Sequence, residues 1–150
     1  MGKYTYEDIC SNLWGLIPDE EFKRLDGTIF EMRPEFLGFC DIYYHLSQII
    51  PKDWTIIDFG AANNPQSYFF TEHKKYIAVN PDSHYEEENG MFCPKNCEIY
   101  RMTTGEFLKS VDYPKEKVFA ICNYVPNWYD EDSINLVHEN FRNCYTFYPR

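Results

Sequence analysis

No stretch of this 150-residue chain approaches the roughly 20 consecutive apolar residues that a membrane-spanning helix needs, so no membrane association is expected. The opening residues, Met1-Gly2-Lys3-Tyr4-Thr5-Tyr6-Glu7-Asp8, hold one cation and no apolar core, unlike a secretory signal. Tyr6 stands where a myristoylation signal wants Ser or Thr. These absences predict a soluble, cytoplasmic protein. Positive charge is also scarce, with 14 Lys and Arg against 24 Asp and Glu and a net charge of -10. Phosphate backbones are gripped chiefly by Lys and Arg, so no nucleic-acid partner is expected. The acidic run Glu86-Glu87-Glu88 reads as a solvated loop. Without repeats or low-complexity linkers, the chain reads as one domain over 1–150, with a helical segment over 1–52 and an α/β core over 53–150.

The cysteines lack the spacing of a complete metal site. They lie at positions 10, 40, 93, 97, 122 and 144, and the pair Cys93 and Cys97 has no second close pair of Cys or His. Structural zinc usually takes four ligands, so no metal is expected, and the thiols read as reduced. Cys40, Cys122 and Cys144 fall inside apolar segments, where they read as small core residues. Nucleophile-elbow and phosphate-loop patterns are missing, and His45, His73, His84 and His138 form no local catalytic pattern. Hydrolase and nucleoside-triphosphatase activities therefore have little support.

Apolar material is plentiful. Hydrophobic residues make up 44% and aromatic residues 19% of the chain, enough to offset the entropy of ordering a core. Tyr6, Ile9, Cys10, Leu13, Trp14 and Ile17 recur at helical spacing, Pro18-Asp19-Glu20-Glu21 opens a second helix, and Thr28 to Met32 reads as a short extended piece. Phe36, Phe39, Cys40, Tyr43, Leu46 and Ile50 predict a helix ending before Pro51. The period then changes. Thr55–Phe59, Tyr76–Val79, Glu98–Met102, Val118–Cys122 and Cys144–Tyr148 read as strands. Between them, Asn64-Pro65 starts a helix of about two turns, Thr103 and Glu106 form a capping-box pattern, and Asp132 caps a helix carrying Ile134, Val137 and Phe141. Such alternation predicts parallel pairing through right-handed crossovers.

Open sheets of this kind bind ligands beyond the carboxyl ends of their strands. Gly60 follows the first strand, where glycine permits a tight turn and close approach of a ligand to backbone. Asn80 and Asp82 follow the second strand, where an amide or acid can bond ribose hydroxyls. Each residue also has a plain structural role open to it. Gly60 suits a turn, Asp58 can bond loop amides, Asn80 before Pro81 can start a turn, and Glu106 can serve the helix cap.

Four segments together resemble the class I S-adenosylmethionine-dependent methyltransferases. Ile56-Ile57-Asp58-Phe59-Gly60-Ala61-Ala62-Asn63-Asn64 looks like their first motif, and Ala78-Val79-Asn80-Pro81-Asp82 is similar to their second. Thr104-Gly105-Glu106-Phe107-Leu108 is like the segment after the third strand, and Phe119 to Pro126 resembles the fourth motif. The resemblance implies a Rossmann-like parallel sheet in the order 3-2-1-4-5 with helices on both faces. It also implies S-adenosylmethionine as cofactor, held by Asp58, Gly60, Ala62, Asn80, Asp82, Glu106, Asn123 and Tyr124. The acceptor would be a small molecule or a protein. The chain departs from the family at Asn80, where an acid is usual, and at Ala62 and Asn64, where glycines are usual. The family's sixth and seventh strands have no counterpart before Arg150, which would leave the fifth strand as an edge. A non-catalytic module that keeps the fold without cofactor, and forms homo-oligomers or docks a protein through that edge, is the alternative reading.

Overall fold

The computed structural model describes residues 34–61, 65–81, 93–122 and 133–146. The expected helices and extended piece between Tyr6 and Met32, and Asn64 and Asp132 as caps, lie outside these residues. Helix α1 (Pro34–Ile49) ends just ahead of Pro51, its last turn closed by the Ile50 amide donating to the Leu46 carbonyl at 2.9 Å. Proline cannot continue the ladder, and it also disfavours helical backbone at the residue before it.

Among the described residues five strands follow, β1 (Thr55–Phe59), β2 (Lys75–Val79), β3 (Cys97–Tyr100), β4 (Val118–Cys122) and β5 (Cys144–Thr146). They form one sheet in the order β3-β2-β1-β4-β5. Every neighbouring pair is parallel, and Asp58 in β1 lies between Ala78 of β2 and Ile121 of β4. This is the predicted Rossmann-like arrangement. All five residues of β1 are buried, as the middle strand of a sheet covered on both faces must be. β3 begins one residue earlier than expected and stops at Tyr100, because Thr103 is committed to capping the next helix. In β5, Tyr145 is 41% exposed, and the expected continuation to Tyr148 lies outside the described residues.

Side-chain alternation divides the core between the two faces. On one face, Ile56, Tyr76, Ala78 and Ile121 meet Tyr43 and Leu46 of α1 and Ile50 just past its end, together with Tyr68, Phe69 and Phe70. Those aromatic residues belong to the connection after β1, a 3-10 helix over Pro65–Phe70. The expected two-turn helix is thus present in the tighter form. At about 2 Å rise per residue, a 3-10 segment carries the chain further back along the sheet than the same number of α-helical residues.

On the other face, Ile57, Phe59, Ile77, Val79, Ala120 and Cys122 pack under α2 (Thr104–Ser110) and α3 (Ser133–Asn140). Phe107 of α2 is fully buried at the centre of this layer. Its ring lies 5.6 Å from Phe59, 5.4 Å from Tyr100 and 5.5 Å from Tyr113, between centroids. Thr103 caps α2, its hydroxyl accepting from the Glu106 amide at 3.2 Å, which is one half of the expected capping box.

Candidate functional site

The carboxyl ends of β1 and β2 lie side by side, because Phe59 pairs with Val79. The next residues, Gly60 and Asn80, therefore emerge together. Gly60 has φ 80°, a left-handed conformation that glycine adopts without the clash other residues meet. Its amide donates to the Val79 carbonyl at 2.7 Å, and the Ala61 amide reaches the same oxygen at 3.3 Å. The chain thus turns sharply off β1 and across the end of β2. Asn80 is buried, with its backbone amide bonded to the Tyr100 carbonyl at 3.0 Å and its side-chain amide 3.4 Å from the Pro81 carbonyl.

Asp58, two residues before Gly60, sits beneath this turn and is fully buried. Tyr43 of α1 donates its hydroxyl proton to Asp58 Oδ1 at 3.0 Å. Gln66 of the 3-10 helix donates to Oδ2 at 2.9 Å, and the Tyr76 hydroxyl donates to the same oxygen. Among the described residues the donors to Asp58 are side chains of three separate elements, and the amides of 62–64, which it was expected to bond, lie outside them. Gln66 Nε2 also donates to the Ala61 carbonyl at 2.9 Å, which links Asp58 to the loop. Burial pushes the Asp58 carboxyl up to about 6, against the opposing pull of the Gln66, Tyr76 and Tyr43 donors. Tyr76 is held well above the ordinary phenol range, first by burial and then by the charge of Asp58, so it remains a donor.

The structure thus brings Asp58, Gly60 and Asn80 to one end of adjacent strands. Glu106 lies in the first turn of α2 with its side chain exposed, and its backbone amide serves the cap. Ala62, Asp82, Asn123 and Tyr124 lie outside the described residues. Sequence reasoning missed Tyr43, Gln66 and Tyr76 as partners of Asp58. Their periodicity marked two of them as core, and nothing local reveals which buried tyrosine carries its hydroxyl to a distant acid. The one available signal was Gln66, a long polar side chain just ahead of the apolar Tyr68, Phe69 and Phe70.

Two further polar groups lie among the described residues. His73 is buried, with Nε2 bonded to the Ile50 carbonyl at 3.0 Å, and burial lowers its pKa to about 4. Cys93 is half-buried, with its thiol 3.6 Å from the Cys97 carbonyl. Among the described residues, no group of three or more His, Cys, Asp or Glu side chains is arranged to hold a metal ion.

No family model matches the sequence, and no curated protein matches it. Solved structures do match the fold. A protein assigned as a type II methyltransferase from Anaeromyxobacter dehalogenans superposes over 73% of this chain with TM-score 0.50 at 14% identity. The precorrin-8W decarboxylase of Methanobacterium thermoautotrophicum does so over 84% with TM-score 0.53 at 13% identity. The precorrin-6Y C5,15-methyltransferase from Geobacter metallireducens covers the same 84%, with TM-score 0.53 at 15% identity. This chain spans 48%, 67% and 65% of the lengths of those three proteins, respectively. The fold is that of the class I methyltransferases. No helix among the described residues is long and apolar enough to cross a membrane.

Proposed function

We propose that this chain, which has the class I methyltransferase fold, binds S-adenosylmethionine at the paired ends of β1 and β2 and presents it to a small-molecule or protein acceptor in the cytoplasm. The observation that carries the reading is the joint emergence of a left-handed Gly60 and a buried Asn80 from adjacent parallel strands. That is the place where open α/β sheets receive nucleotide-like ligands. The residues fit such a group in two respects. Gly60 carries no side chain at the turn, so backbone can approach a ligand closely. Asn80 offers an amide where ribose hydroxyls would lie.

The bound cofactor would supply an already activated sulfonium methyl. The chain's own residues would bind, orient and exclude water. Gly60, with Ala62, would pass the methionine portion, Asn80 or Asp82 would hold the ribose, and Glu106 would stand by the adenine. Asn123 and Tyr124 would face the methyl. Asp58 would fix the turn from beneath through Gln66.

The affinity would be modest, because the Asn80 carbonyl accepts with less strength than a carboxylate, which takes both ribose hydroxyls with charge assistance. Replacing Asn80 by Asp is expected to tighten binding about tenfold or more, the worth of one charge-assisted hydrogen bond. Calorimetric titration with S-adenosylmethionine, its demethylated product and NAD, side by side, tests the proposal. Binding of the first two and not the third supports it, and no heat from any of the three at millimolar concentration sinks it.

A second reading draws on a different observation. β5 stands at the border of the described sheet with Tyr145 exposed, and an exposed strand edge can pair with another chain. A binding module without cofactor, docking a protein or a second copy there, would give no heat with any of the three ligands.

A further inference from the structure

We propose that Cys144, His138 and Thr146 form a covalent modification site, at which the Cys144 thiol exchanges with a small-molecule disulfide. The site is built from β5 and α3 alone and does not depend on the cofactor reading. His138 is exposed in the last turn of α3, and Cys144 is the first residue of β5. Cys144 and Thr146 are two apart in a strand, so their side chains share a face. It is the face that α3 covers, and His138 meets both of them. Its Nδ1 lies 3.6 Å from Cys144 Sγ, and its Nε2 lies 3.2 Å from Thr146 Oγ1. In the tautomer whose Nε2–H donates to the threonine hydroxyl, the Nδ1 lone pair faces the thiol.

The other described thiols sit in different surroundings. Cys122 is fully buried with its thiol 3.7 Å from the Ser133 hydroxyl, Cys97 is buried, and Cys93 is directed at the Cys97 carbonyl. The sequence expectation that Cys144 is a plain core residue is corrected in part, since it is only half-buried at the border of the second core layer.

Burial pushes the Cys144 thiol up, so near neutral pH the proton rests on sulfur, and a neighbouring base is needed to release the nucleophile. In the exchange, the Sγ proton passes to His138 Nδ1 as sulfur attacks one sulfur of the disulfide. The reagent's S–S bond breaks, a new S–S bond forms to Cys144, and the departing thiolate takes the proton back from the imidazolium. One disulfide is consumed and one is made, with no net oxidation.

The test is the rate of reaction with an aromatic disulfide whose released thiol absorbs light, with the modified cysteine assigned by peptide mass spectrometry. Cys144 is expected to react faster than Cys93, Cys97 and Cys122. His138→Gln should slow it about a hundredfold, the lower end of general-base assistance. Thr146→Val should slow it less, and Thr146→Ser, which keeps the hydroxyl, should leave it near the wild-type rate. His138 is exposed, so its replacement leaves the fold intact, and an unchanged thermal midpoint checks this. An undiminished rate at Cys144 in His138→Gln, or a wild-type Cys144 no faster than buried Cys122, overturns the proposal.

Discussion

Tyr43 donates its hydroxyl proton to Asp58 across 3.0 Å, tying helix α1 to the middle strand directly below the Gly60 turn. Removing that donor leaves a buried carboxylate with one partner fewer. Tyr43→Phe is therefore expected to cost about 1–3 kcal/mol, the range for a hydrogen bond to a charged buried group. It should also raise the Asp58 carboxyl beyond its value of about 6, because Tyr43 is among the donors that hold it down. Urea unfolding and a carboxyl-carbon NMR titration measure the two effects, and a variant that matches wild type in both contradicts the assignment.

Asp58 and His73 oppose one another in acid. The Asp58 carboxyl is raised from 3.8 to about 6, so the folded state binds its proton more readily than the unfolded chain does. Its stabilising contribution is full below the unfolded value and is lost as pH rises through about 6. His73 is lowered from 6.5 to about 4, so its contribution is full above 6.5 and is lost as pH falls towards 4. Between these limits the two slopes cancel in part. In His73→Gln, the Asp58 slope stands alone, and the stability difference between wild type and variant should grow as pH rises from about 4 to 6.5. Chemical denaturation across that interval provides the check. A difference that stays constant with pH would show that His73 does not titrate as the fold implies.

Two glycines should respond to alanine with opposite signs. Gly60 has φ 80°, and a β-carbon there should cost about 1–2 kcal/mol through left-handed strain. Gly105 lies in helix α2, where an added β-carbon meets only Leu136 Cδ1 at an ordinary 3.8 Å. Gly105→Ala should stabilise by about 0.5–1 kcal/mol. Thermal unfolding of both variants decides the matter, and equal shifts of the same sign would contradict it.

Phe107 fills the layer between the sheet and α2, with three aromatic rings around it. Its replacement by alanine should cost about 3–5 kcal/mol, the range for deleting a fully buried aromatic side chain. A denaturation midpoint moved by less than a third of that amount would mean the layer collapses onto the gap.

The alternation of buried β-branched runs with helical segments carried nearly all of the fold that the sequence made legible. Strands β1 and β4 begin and end where their apolar runs do, and Pro51 and Thr103 mark helix boundaries that the structure places within a residue or so. Local signals serve there because capping and ring closure act over a few residues. The 3-10 form of the Pro65–Phe70 connection was not legible, since it answers to the distance the chain must travel. Within the site, Asp58, Gly60 and Asn80 were legible as positions, and the partners of Asp58 were not. The buried network around Asp58 draws on Tyr43, Gln66 and Tyr76, up to 18 residues away, and it is tertiary packing of a helix, a 3-10 helix and a neighbouring strand that brings them together.

The most direct measurement of the central claim is a titration of isotopically labelled protein with S-adenosylmethionine, followed through its backbone amide resonances. The account predicts saturable shifts concentrated at Gly60, Ala61 and Asn80, with Asn80→Asp saturating at lower cofactor concentration. Unmoved amides at millimolar cofactor, or shifts confined to residues remote from the ends of β1 and β2, would contradict it.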